Sequence, residues 1–201
     1  MARDGYYFFL PLVALTLVLA WLQVMALGVV TLILAAFVAW FFRDPNRSVP
    51  DNPDAVVSPA DGKIVRVRSF EEGTEVSIFL SIWNVHVNRS PVEGILVRKE
   101  HRSGRFHLAW DDRASVENER VILAVSGERP LTFALVAGVL ARRIRVWKNE
   151  GDVLGRGDRI GLIRFGSRVD LFFPGNCDLV VSEGDRVYGG STILAYWNSG
   201  P

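Results

Sequence analysis

The sequence predicts a mostly β, α+β protein: an N-terminal transmembrane helical hairpin followed by a compact β-barrel or sandwich-like domain. Three observations carry this reading. Residues 6 to 42 are almost wholly apolar, broken only by Pro11, Thr16, Gln23, Gly28 and Thr31. From residue 55 onward the chain turns instead to short runs of Val, Ile, Leu and Phe, most of them punctuated by Gly, Asp, Asn or Pro, as strands joined by turns are. Finally, N-E-G-D-V-L-G-R-G-D-R-I at 149 to 160 matches S-E-G-D-R-V-Y-G-G-S-T-I at 182 to 193, an offset of 33.

The apolar run is longer than one membrane span of about 17 to 25 residues and slightly short of two full ones. It predicts two closely spaced helices, about 6 to 21 and 24 to 42, with a single tilted span behind an interfacial segment as the alternative. The run is too long for a cleaved signal peptide and no clear cleavage site follows it. Arg3 precedes it, and Arg43 and Arg47 follow it. With two spans, positively charged flanks put both ends in the cytoplasm, and the remaining domain against the anionic inner leaflet.

The expected organisation is therefore an anchor at 1–42, a linker at 43–54 and one domain at 55–201. The linker, R-D-P-N-R-S-V-P-D-N-P-D, carries Pro45, Pro50 and Pro53, which end the helix and favour turns. Strand-like runs occupy 55 to 58, 63 to 67, 75 to 82, 94 to 99, 121 to 126, 131 to 137, 142 to 147, 160 to 165, 168 to 173 and 178 to 181. A short helix is expected around Ala114 to Glu119. The two echoed segments read as Gly-Asp hairpins.

Composition excludes several classes. A net charge of +1 is too small for a dedicated nucleic-acid binder. Cys177 is the only cysteine, so no intrachain disulfide or cysteine-rich metal site forms, and His86, His101 and His107 lack the spacings of a zinc site. No metal is expected. Two Gly-Ser pairs remain as chemical candidates. Ser191 aligns with Asp158 in the echo and reads as a turn residue. Gly166-Ser167 lies outside the echo between strand-like flanks, and on spacing alone reads as a β-bulge.

A series of blocks then appears in order: F-F-R-D-P at 41 to 45, V-S-P-A-D-G-K at 57 to 63, W-N-V-H-V-N-R-S-P-V-E-G at 83 to 94, E-N-E-R at 117 to 120, A-G-V-L-A-R-R-I at 137 to 144 and R-F-G-S-R-V-D at 164 to 170. The set resembles the phosphatidylserine decarboxylases, in particular their short membrane-anchored prokaryotic branch. The resemblance spans nearly the whole chain. It replaces the bulge reading of Ser167 with a chemical one: self-cleavage between Gly166 and Ser167 into a β chain, 1–166, and an α chain, 167–201, with Ser167 converted to a covalent pyruvoyl cofactor.

The resemblance also implies the reaction, conversion of phosphatidylserine to phosphatidylethanolamine and CO2 through a Schiff base with that pyruvoyl group, at the cell membrane with the catalytic domain on the cytoplasmic side. The α and β chains are expected to stay associated, a homodimer is an option the family suggests, and nucleic acid is not a partner. His86 and Asp61 match the family's base and orienting carboxylate for Ser167, and an imidazole can both accept and return a proton near neutrality. Many longer members carry two histidines three apart in this block. Here Arg89 stands three residues after His86, so either processing and decarboxylation share His86, or Arg89 or another donor takes part of the load. Arg89 and Arg168 are the expected substrate-binding arginines, since a guanidinium offers a planar set of donors to phosphate or carboxylate. Arg142, Arg143 and Arg145 read as a solvated or membrane-facing run, and Asn118 as a buried residue that fixes a loop.

Two other readings compete. A membrane-tethered serine hydrolase using Ser167, His86 and Asp61 would leave the chain intact, and it lacks a G-x-S-x-G elbow. A non-enzymatic membrane-anchored binding domain, lipoyl-like in its Gly-Asp turns, would carry a lysine in an exposed turn, and neither echoed turn has one.

Overall fold

The computed structural model describes residues 1–105, 117–138, 143–164 and 166–198. The chain divides into two compact units, Met1–Asn46 and Arg47–Pro201. The expected helix around Ala114 to Glu119 lies mostly outside the described residues, as do His107 and Arg142.

The first unit is a pair of apolar helices, α1 (Arg3–Trp21) and α2 (Met25–Phe41). With 19 residues and a mean hydropathy of 1.5, α1 is long and apolar enough to cross a membrane; α2 is a shorter apolar helix of 17 residues. The turn between them places Gln23 at φ +58. Their apolar faces leave few ways to pair polar groups. Thr16 and Thr31 solve this with their hydroxyls 2.8 Å apart between the helices, each also within hydrogen-bond distance of a carbonyl of its own helix.

The second unit contains fourteen strands among the described residues: β1 (Ala55–Val57), β2 (Gly62–Phe70), β3 (Gly73–Leu80), β4 (Val87–Arg89), β5 (Gly94–Arg102), β6 (Arg120–Ser126), β7 (Leu131–Val136), β8 (Ile144–Val146), β9 (Val153–Leu154), β10 (Arg159–Ile163), β11 (Ser167–Pro174), β12 (Cys177–Leu179), β13 (Arg186–Val187) and β14 (Ile193–Trp197). Eight form one antiparallel sheet in the order β13-β2-β3-β11-β7-β6-β5-β9, flanked by three-stranded sheets β4-β10-β8 and β1-β14-β12. The mixed architecture expected from the sequence is present.

Alternation explains the large sheet. In β11, Val169, Leu171 and Phe173 pack into the core with Ile78 and Val76 of β3 and with Leu135 and Phe133 of β7, their register partners. The intervening residues, Arg168, Asp170 and Phe172, occupy the opposite face, as a period of two requires.

The repeat is deeper than the echo at 149 and 182. V-S-P-A-D-G at 57 to 62 and R-S-P-V-E-G at 89 to 94 are 32 residues apart and exchange backbone hydrogen bonds reciprocally: Val57 N to Pro91 O at 3.0 Å, Arg89 N to Pro59 O at 2.8 Å. Ser58 Oγ donates to Ala60 O and Ser90 Oγ to Val92 O, at 2.7 and 2.6 Å. The later repeat docks on the earlier one in the same way, Gly190 N on Ser58 O and Gly157 N on Ser90 O. The two halves of the domain are thus related by an internal twofold.

This arrangement corrects the hairpin expectation. After each Gly-Asp turn the chain does not fold back on itself; β9 lies along β5 and β13 along β2, closing the two edges of the large sheet. Strands of two residues make too short a ladder alone, whereas an open sheet edge supplies ready partners. The sequence also misses β4, whose V-N-R has no apolar alternation and exists through its pairing with β10.

Candidate active site

The site is built where the chain crosses between sheets. The step from β10 to β11 runs through residues 164 to 166, and the step from β3 to β4 through residues 81 to 86. Ser167 pairs with Leu80 at one end of these crossings, and Ile163 N donates to His86 O at the other, at 3.4 Å. The two segments therefore have adjacent ends. One carries the Gly166-Ser167 bond and the other carries His86.

Ser167 opens β11 in register with Leu80, which replaces the bulge reading; Gly166 before it takes φ +63, with no atom of the described residues within 4 Å of where a Cβ would be. That left-handed conformation turns the chain into the strand and suits glycine. Ser167 is fully buried, and its Oγ has no hydrogen-bond partner among the described residues. His86 is also fully buried, and its carbonyl is fixed a second time by Asn88 Nδ2 at 3.0 Å.

Asp61 reaches the same end of the sheet from β2. Lys63 pairs with Phe79, and Phe79 with Arg168, so Asp61 and Ser167 lie on either side of the end of β3, about 10 Å apart at two strand spacings. The Asp61 carboxylate is held through both oxygens: Arg47 NH2 approaches Oδ2 at 2.6 Å and Gly189 N donates to Oδ1 at 2.8 Å. Arg47 also stands over the Tyr188 ring at 5.6 Å. Its role was not read from the sequence, where it served only as a positive flank of the apolar run; its place two residues beyond the F-F-R-D-P block was the available signal.

Arg89 joins this group. Its backbone bond to Pro59 O sets β4 beside the Asp61 turn, and its NH1 donates to Gly157 O at 3.0 Å. Gly190, at φ +78, makes room: a Cβ there would come within 2.9 Å of Arg89 Cδ and 3.7 Å of Arg47 Cβ. The structure thus gathers Asp61, Arg47, Arg89 and the Tyr188–Gly190 turn at one end of the sheet. Ser191 lies in that turn, its N bonded to Tyr188 O at 3.1 Å.

Arg168 is placed differently. One residue after Ser167, it occupies the opposite face of β11, fully buried, with Nε 2.8 Å from Asp170 Oδ1 and NH2 3.1 Å from Oδ2. On the same face, burial and then the charge of Asp170 push the Glu75 carboxyl above its ordinary value, against the pull of Arg168, Arg66 and Arg68. Asn118 is buried and donates to Ala137 O at 2.8 Å, tying the residues just before β6 to the residue just after β7. His101 is exposed and contacts Glu119.

Comparison with known proteins bears on this arrangement. The family model described as phosphatidylserine decarboxylase matches residues 34–195. The phosphatidylserine decarboxylase proenzyme of Symbiobacterium thermophilum is 46% identical, covering 96% of this chain and 94% of its own length. Those of Magnetococcus marinus and Desulfotalea psychrophila are 42% and 41% identical, each again covering 96% of this chain and, respectively, 94% and 95% of their own lengths.

Proposed function

This chain belongs to the phosphatidylserine decarboxylase family, and from that premise we propose that its pyruvoyl group is made from Ser167 by cleavage of the Gly166-Ser167 bond. The protein is a carbon-carbon lyase that decarboxylates phosphatidylserine to phosphatidylethanolamine, and family membership implies an autocatalytically generated pyruvoyl group. The observation that carries the assignment is the fully buried Ser167, its Oγ without a hydrogen-bond partner among the described residues, directly after Gly166 in its left-handed conformation.

In the processing step Ser167 Oγ adds to the Gly166 carbonyl carbon and the peptide C–N bond breaks, leaving an ester. His86 takes the hydroxyl proton and returns it to the released Ser167 nitrogen. We assign Asp61 to orient that imidazole through the acceptor sites its oxygens retain beyond the bonds from Arg47 and Gly189 N. Removal of the Ser167 Cα proton then breaks the Oγ–Cβ bond and frees the Gly166 carboxylate. Hydrolysis of the remaining dehydroalanine by one water releases ammonia and leaves the pyruvoyl carbonyl.

When formed, that carbonyl supplies an electron sink for the bond to the departing carboxylate. The chain's own residues do the rest. Burial at the sheet crossing limits bulk solvent, His86 delivers a proton to the substrate carbon, and Arg47 and Arg89 supply positive charge beside the headgroup. Arg168, paired with Asp170 behind the strand, reaches the substrate only if that ion pair opens.

We infer that the cut chains stay together, and strand pairing supports it. The 167–201 chain contributes β11, β13 and β14, which pair with β3 and β7, with β2, and with β1 of the other chain. We place the helical pair in the membrane with both ends on the cytoplasmic side, following its positively charged flanks. Membrane association itself is supported by α1 and by family membership.

The deciding measurement is the intact mass of the denatured protein beside Ser167→Ala. Two fragments dividing after Gly166, the smaller with pyruvoyl in place of serine and both missing in the variant, are expected. A single unmodified chain in an active preparation would return the weight to the hydrolase reading.

A further inference from the structure

The turn between β3 and β4 carries residues that its geometry does not ask for. Asn84 N donates to Ser81 O at 3.0 Å, and Asn84 Oδ1 accepts from both Ser81 N and Ser81 Oγ, at 2.9 and 2.7 Å. Such a braced four-residue turn ordinarily has Gly, Pro, Asn, Asp or Ser at its centre. Here the centre is Ile82 and Trp83, 37% and 66% exposed. A single exposed apolar side chain needs no explanation. Two of them, held at the tip of a turn fastened by three hydrogen bonds, are presented rather than tolerated.

The position of the tip gives its use. Val187 pairs with Gly62, Lys63 with Phe79, and Leu80 with Ser167. The segments bearing Tyr188, Asp61, the Ser81–Asn84 turn and Gly166 therefore all leave the large sheet at one end. Arg47, which holds Asp61 at that end, follows the apolar run, which ends at Phe42, by five residues of sequence. Tyr188, 51% exposed beneath the Arg47 guanidinium, adds a second amphipathic ring.

We propose that the Ile82–Trp83 tip is a second membrane contact, inserted into the interfacial layer of the bilayer so that a lipid headgroup enters the site beside His86 and Ser167 without its acyl chains leaving the membrane. Indole and phenol rings favour that layer, with the apolar body toward the acyl chains and the polar edge in the headgroups. The proposal rests on reading His86 and Ser167 as the site. It assigns the tip no part in the chemistry.

Two measurements on the full-length, self-cleaved protein test it. In vesicles containing lipids brominated high on the acyl chains, the fluorescence difference between wild type and Trp83→Phe isolates Trp83, and that difference is expected to be strongly quenched. With long-chain phosphatidylserine in vesicles, Ile82→Ser/Trp83→Ser is expected to raise KM about tenfold or more, the factor set by burying one large apolar side chain, with kcat unchanged. Toward a short-chain phosphatidylserine dispersed as monomers the variant should match wild type. Loss of that monomer activity in Ser167→Ala tests the site reading separately. An unquenched Trp83, equal losses on both substrates, or a tip buried only as protein concentration rises, as in self-association, would each overturn the membrane contact.

Discussion

Arg47 and Asp61 form an ion pair at 2.6 Å across 14 residues of sequence, joining the segment that follows the apolar helices to the turn before β2. The Asp61 carboxylate is thus positioned by a residue outside the strands. Gly189 N fixes its other oxygen.

Removing Arg47 should slow self-cleavage without unfolding the domain. A charge-assisted hydrogen bond of this kind is worth about 1.5–3 kcal/mol, which corresponds to about 10- to 100-fold in rate. Arg47→Ala is expected to accumulate uncut precursor, followed by intact mass over time, with Arg47→Lys recovering part of the rate. Recovery by lysine separates a positioning role from loss of packing.

His86→Ala is expected to lower the self-cleavage rate about 10²- to 10⁴-fold, the usual worth of a positioned general base. The check is the fraction of precursor remaining at fixed times after synthesis. Cleavage at the wild-type rate would remove His86 from the processing step and leave it, at most, the later proton transfer.

Gly190→Ala and Gly184→Ala form a controlled pair. Both glycines have positive φ, +78 and +98, but a Cβ at 190 meets Arg89 whereas at 184 it meets nothing within 4 Å. Each substitution should cost about 1–2 kcal/mol of backbone strain in chemical unfolding. Only Gly190→Ala should also lower decarboxylation, because only there does the new methyl displace Arg89.

Glu75 makes stability depend on pH. Burial and Asp170 raise its folded-state value above the unfolded one, so the folded protein binds the proton more tightly. Ionised Glu75 therefore weakens the fold above its raised value, and the penalty fades as pH falls through that value toward the ordinary carboxylate range. Glu75→Gln should raise the melting temperature at pH 7 and lose this advantage in acid. An advantage that grows on acidification would contradict the assignment.

Much of this protein was legible before any coordinates. The apolar run predicts two helices because each residue needs only its neighbours to form one, and the Gly-Asp echo is visible because turn residues act within four positions. Gly166-Ser167, His86 and Asp61 stood out through ordered motif blocks. By contrast, β4 was hidden because its three residues have no pattern of their own, and the echoed turns were misread as hairpins because a two-residue strand takes its partner from whichever edge lies open.

From the sequence alone came the membrane-anchored, mostly β class, the family resemblance and the residues of the proposed cleavage site, all properties of local composition and order. Tertiary structure decided what those residues touch. Strand register sends Arg168 behind β11 to Asp170 while Ser167 faces the core, and the internal twofold sets Arg89 beside the Asp61 turn. The docked linker supplies Arg47. The physical reason is that a strand side chain's face follows from parity, but its partner depends on which strand lies alongside and in what register, and that is settled only when the whole sheet has closed.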